Sequence, residues 1–164
     1  MKKIVRAVAV VSLLSALCGL LGCGRAPAYT AEDIKSVSVS CGHMDYSHSY
    51  SFYLRKAENG WLLDADYAAD TERPHTAFEE CPVAEQDANA LLSVVQEQDI
   101  IEKLRRYKKP KIKIQVADDT SYCTSVLFLD GEQLSASAHI SDALVTEFYR
   151  LAEKYTEDCG TKKP

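Results

Sequence analysis

The chain has 164 residues, a formal net charge of −5 and 46% hydrophobic residues. That length supplies one domain with a core of its own and hardly two. The acidic balance argues against nucleic acid as the main partner. Taken in chain order, the first element is a leader: Lys2, Lys3 and Arg6 precede an apolar run from Ala7 to Leu21. A basic region, a short apolar region and a small residue in that order read as a secretory signal peptide. The run is shorter than the ~20 residues a membrane-spanning helix needs.

The run ends in Leu20-Leu21-Gly22-Cys23, which resembles the lipobox of bacterial lipoproteins. Cys18 fits that pattern poorly, because Leu17 precedes it where Gly, Ala or Ser is wanted. The resemblance implies a signal peptide over 1–22, cut before Cys23, whose sulfur then carries diacylglycerol. It also implies an exported protein, held by that lipid on the outer face of the cell membrane or on another envelope membrane. Without its three leader bases the chain carries about −8. One segment is basic against this trend: Lys103, Arg105, Arg106, Lys108, Lys109, Lys111 and Lys113 follow one another with no acid between them.

Residues 23–30 are small and contain Pro27, as a lipidated N-terminus and tether would. A single domain is expected over 31–160, with 161–164 as a tail. Val37, Val39 and Cys41 alternate with serines, a half-buried strand in which Ile34 falls out of phase. Tyr46 to Lys56 continues as a strand, Asn59-Gly60 offers a pair of left-handed residues for a hairpin, and Trp61 to Tyr67 returns. An acidic loop with Pro74 leads to a short strand over Thr76 to Cys81. Ala88, Leu91, Leu92 and Val95 then fall at helical spacing, which predicts a helix from Ala84 to Glu97 with Pro82 near its start. Ile100, Ile101 and Leu104 add a further turn or two before Pro110. Ile112, Ile114 and Val116 alternate with polar residues, Tyr122 to Leu129 reads as a strand, Asp130-Gly131 as a turn, and Leu134 to Ala138 as the return. Ser141 caps a last helix whose stripe is Leu144, Val145, Phe148, Leu151, Ala152 and Tyr155.

Strands, helix, strands, helix with tight turns predict an α+β fold, an antiparallel sheet with two helices packed on one face as a two-layer sandwich. The run Met44-Asp45-Tyr46 through Phe52, the Asn59-Gly60-Trp61 turn, the helix and the hairpin from Asp118 through Asp130-Gly131 resemble small uncharacterised lipoproteins of clostridial gut bacteria. That resemblance implies fold and location and brings no activity with it.

Cys41, Cys81, Cys123 and Cys159 remain after the leader and the lipidated residue. An even number in an exported chain points to disulfides, and four cysteines allow three pairings; buried free thiols are the alternative. Antiparallel helices would bring Cys81, just before the first, to Cys159, just after the second, leaving Cys41 with Cys123. Cys41, His43, Met44 and His48 include soft metal ligands, but an extended segment sends them to opposite faces, so no metal is expected. Tyr46, Tyr50, Tyr53, Trp61, Tyr67 and Tyr122 suit either a glycan- or peptide-binding surface or ordinary sheet packing, and packing is the simpler account. The carboxylates Glu79-Glu80, Asp118-Asp119 and Asp64 with Asp66 fit turns and surface. Lys103, Arg105, Arg106, Lys108 and Lys109 read first as a solvated face and second as a contact to an anionic surface; Lys111 and Lys113 read as the wet side of a strand.

No nucleophile elbow, zincin, phosphate-loop or dinucleotide motif occurs, and the four histidines show no acid partner in the sequence. The expectation is a non-enzymatic binding or interaction domain without a cofactor, tied to the membrane by lipid, with an envelope protein or glycan as partner. The alternatives are an envelope hydrolase using the Asp64-to-Glu80 region and an inhibitor of an extracellular enzyme.

Overall fold

The structure is a computed structural model that describes residues 28–43, 48–68, 75–109 and 120–159, and the backbone of 161–162. Its strands are β1 (Ile34–Gly42), β2 (Tyr50–Ala57), β3 (Gly60–Tyr67), β4 (Thr76–Val83), β5 (Ser121–Phe128), β6 (Gln133–Ala136) and β7 (Thr161–Lys162). They form one antiparallel sheet in the order β6-β5-β1-β2-β3-β4-β7. The helices are α1 (Glu85–Glu97), α2 (Ile100–Arg106) and α3 (Asp142–Cys159), with a 3-10 turn over Ala31–Asp33. The fold is the expected α+β sandwich: an antiparallel sheet packed by helices on one face, with the short α2 added to the two main helices.

Alternation explains the sheet. Val37, Val39 and Cys41 stand between Leu54, Phe52 and Tyr50 on one side and Val126, Thr124 and Tyr122 on the other. Ile34, out of phase in the sequence, is nonetheless fully buried, because the register shifts between Ile34 and Ser36 and a bulge absorbs the extra residue. The opposite face is polar: Ser36, Ser38 and Ser40 lie across from Arg55, Tyr53 and Ser51. On that face Arg55 bonds Glu80 at 2.9 Å and lies 3.6 Å from Asp64, whose Oδ1 accepts the Glu80 N–H at 2.7 Å. Of the aromatic residues, Trp61 and Tyr67 are core, whereas Tyr53 and Tyr122 are exposed; Tyr46 lies outside the described residues.

Leu144, Phe148, Leu151 and Ala152 of α3 and Ala88, Leu91, Leu92 and Val95 of α1 cover the sheet. The Ser141 hydroxyl accepts the Leu144 N–H at 3.3 Å, as an N-cap does. A polar clamp joins the helices: buried Asp87 accepts from Lys154 Nζ at 2.7 Å and Tyr155 Oη at 2.9 Å, and Tyr155 Oη in turn accepts the Ala84 N–H at 2.9 Å. The Cys81–Cys159 disulfide, with Cα atoms 5.8 Å apart, ties β4 to the end of α3.

Five sequence expectations need correction. Cys41 and Cys123 are free and do not pair: on adjacent strands Cys123 lies opposite Ser40, so Cys41 is buried and Cys123 exposed on the other face. In the first hairpin Ala57 pairs with Gly60, so the tip is Glu58-Asn59, and Gly60 alone carries the left-handed φ, +129°. Pro82 sits in β4, opposite Leu62; β7 covers β4 only at Thr76 and Ala77, so at Pro82 the strand has an open side where a missing N–H is tolerated. Thr161 and Lys162, expected in a tail, are β7, and Tyr29, expected in the tether, packs on the domain. The strand expected over Ile112–Val116 and the Asp118-Asp119 pair lie outside the described residues.

Candidate binding cleft

All four histidines, scattered in sequence, come to one pole of the sandwich, where β1 ends, β2 and β5 begin, β3 passes to β4 and α3 starts. His43 directly follows β1, and its N–H and C=O both bond the Ser49 hydroxyl, at 2.9 and 3.3 Å, which closes the chain reversal into β2. The His43 and His48 rings meet edge-on at 6.0 Å. His75 precedes β4 and its Nδ1 lies 2.7 Å from Asp66 of β3. His139 Nε2 lies 2.9 Å from Asp142 in the first turn of α3, and its ring packs on Tyr122 at 5.3 Å. Two histidines therefore have carboxylate partners that the sequence does not reveal, because each partner comes into reach only through a strand crossing or a helix start.

Two connected clefts open here. One, of ≈ 730 Å³, is lined by Ser40, His43, Ser51, Asp66, His75 and Ser121 among others. The other, of ≈ 620 Å³, is lined by His48, Tyr122, His139, Asp142 and Tyr149 among others. Cys41, His43 and Tyr50 belong to both, and Cys41 stands opposite Tyr50 in the β1–β2 register. Burial pushes the Cys41 thiol up, against a smaller downward pull from its hydrogen bond with Tyr122. At neutral pH it is a thiol and a poor nucleophile. Burial likewise raises the Tyr50 and Tyr149 phenols, and Tyr122 in the same way, so all three keep their protons as hydrogen-bond donors. The wall thus offers phenols, serine hydroxyls and imidazoles, the groups that hold a polar ligand through hydrogen bonds and ring contacts. Among the described residues no group of three or more His, Cys, Asp or Glu converges as a metal site requires; Met44 lies outside them.

The opposite pole holds Tyr29, near the start of the described residues. Tyr29 stacks on buried Phe128 with ring centroids 3.7 Å apart and planes 10° from parallel. Its hydroxyl shares its one proton between Asp130 and Glu132, whose oxygens each lie 2.7 Å away, and the Arg105 guanidinium lies 5.4 Å over its ring. These hydrogen bonds, Asp130 first, push the Tyr29 phenol well above its ordinary value and draw Asp130 down. β1 spans the interval between the poles, its nine residues covering about 27 Å. Of the basic segment, Lys103, Arg106, Lys108 and Lys109 are exposed and Arg105 half-buried, while Lys111 and Lys113 lie outside the described residues. Sequence reasoning missed Tyr29, although an aromatic residue beside the tether, Ala28-Tyr29-Thr30, was the available signal. No family model, curated protein or solved structure matches this chain.

Proposed function

We propose that the protein is a lipoprotein of the cell envelope, anchored through Cys23, whose domain is a binding module that presents the histidine–tyrosine clefts away from the membrane. The observation that carries this reading is the opposition of the two poles: the chain from Cys23 enters at the Tyr29 clamp, and the clefts open at the far end of β1. Tyr29 stands six positions after Cys23, a reach of at most ~21 Å, so the clamp stays near the bilayer. A neutral thiol and protonated phenols favour recognition over group transfer, and the fitting partner is a hydroxyl-rich ligand such as an envelope glycan.

Mass analysis of the N-terminal peptide from envelope extracts tests the anchor. The expected peptide begins at Cys23 and carries diacylglycerol, and Cys23→Ala lacks it; an unmodified Cys23 in the mature protein would refute the anchor. The hydrolase alternative has one observation in its favour, the Asp66–His75 pair in the larger cleft. Both side chains are about half exposed, which suits a surface pair. A hydrolase panel on the protein and on His75→Ala separates the readings: turnover that vanishes in the variant would replace the binding module with an enzyme.

A further inference from the structure

We infer that the basic segment at α2 is an interaction surface for anionic lipid headgroups, which steadies the domain against the membrane beside its anchor; the inference rests on the lipoprotein reading for its setting. The tether and this segment are joined at Tyr29, whose ring lies under the Arg105 guanidinium at 5.4 Å. Ala28 and Tyr29 line a groove with Ile101, Glu102 and Arg105, so the chain passes along α2 before it enters the domain. From there Lys103, Arg106, Lys108 and Lys109 project into solvent.

The nearest carboxylate is already engaged. Glu102 pairs with Arg105 at 3.0 Å and with Arg106 at 3.7 Å. At the clamp, Asp130 and Glu132 both accept from the neutral Tyr29 hydroxyl and keep their charges, which with Glu102 are outnumbered by Lys103, Arg105, Arg106, Lys108 and Lys109. Lys103, Lys108 and Lys109 have no ion-pair partner among the described residues, so their charge is available to a second body. The protein as a whole is acidic, which keeps binding to an anionic surface from bulk solution weak, measurable only at high vesicle concentration and low salt. A tether of at most ~21 Å changes that, since it holds the lysines near a surface whose potential decays over about 8 Å in physiological salt. Each lysine at an anionic membrane then contributes about fivefold in binding. Lipid rather than a soluble wall polymer is the committed partner, because the anchor brings lipid and nothing else to α2.

The test uses residues 24–164, without leader and lipid. Every residue of the buried core lies between Ile34 and Ala152, so the cut leaves the folding unit whole. Sedimentation with phosphatidylglycerol–phosphatidylcholine vesicles is compared with phosphatidylcholine vesicles at low and at physiological salt. The expected result is binding to the anionic vesicles alone, weakened by salt and reduced tenfold or more by joint Lys103→Gln, Lys108→Gln and Lys109→Gln. Equal binding to both vesicles would overturn the inference. So would an equal loss in the Lys35→Gln, Lys56→Gln control, or an equal affinity for soluble poly(glycerol phosphate). Because this protein carries no lipid, failure here leaves the Cys23 modification to stand or fall on the mass analysis alone.

Discussion

At the scale of single residues, the two free cysteines should behave differently. Cys41 is 6% exposed and its thiol is pushed up by burial, while Cys123 is exposed on the polar sheet face. Thiolate and access together set reactivity. Iodoacetamide applied to the native protein at mildly alkaline pH should therefore label Cys123 and spare Cys41 until denaturant is added, as peptide mapping would read; equal labelling would contradict the buried wall of the cleft. Asp87 gives a second expectation. Its hydrogen bond with Lys154, assisted by Tyr155, holds its carboxyl below the ordinary carboxylate value of about 3.9 against the cost of burial. A depressed folded value means that the clamp contributes fully above the unfolded value and is lost as pH falls through the folded one. Urea midpoints should drop below about pH 4, and Asp87→Asn should flatten that acid limb while costing about 1 kcal/mol at neutral pH.

At the scale of elements, the disulfide and the clamp do one job: they hold α3 against α1 and the β4 edge. Cys81 and Cys159 are 78 residues apart in sequence, and closing so long a loop removes about 4.5 kcal/mol of unfolded-state entropy. Cys81→Ser with Cys159→Ser should lower stability by roughly that amount in urea unfolding, with cleavage by added protease moving to the end of α3 and β7. An unchanged midpoint would assign the joining of the helices to Asp87 and the apolar stripe. Much of this level was legible beforehand. The Leu144–Phe148–Leu151 stripe and the Val37–Val39–Cys41 alternation state their periods openly, because each element buries one face. Ile34 and Pro82 misled for the complementary reason: a bulge and an open strand side depend on neighbours that no local pattern encodes. The Cys81–Cys159 bridge followed from where the helices begin and end, whereas the Cys41–Cys123 pairing came from elimination and failed against register. The cleft was the least legible part. His43, His48, His75 and His139 share a pole only because five strand ends and a helix start converge there, and a partner such as Asp66 is fixed by the β3–β4 crossing.

At the scale of the whole molecule, the proposed anchor and the proposed binding clefts belong to opposite ends of the sandwich. The tether clamp, with Arg105 of the basic stretch over it, lies at one end of β1 and the clefts at the other, so on the proposed reading an anchored domain should stand with a defined orientation. That expectation is open to measurement with the lipidated protein in vesicles carrying a spin label on the lipid headgroup. Paramagnetic broadening should be strongest for amides of Tyr29, Phe128 and Asp130 and fade toward His43 and His75, the better part of 27 Å away along β1. Charge on α2 sets the tilt in this picture and the lipid sets only the distance. Replacing Lys103, Lys108 and Lys109 by glutamine should then even out the gradient without releasing the protein, since the anchor remains. Broadening centred on the histidine pole would instead turn the clefts toward the bilayer, and their phenols and imidazoles would have to be read as contacts for a membrane-borne ligand.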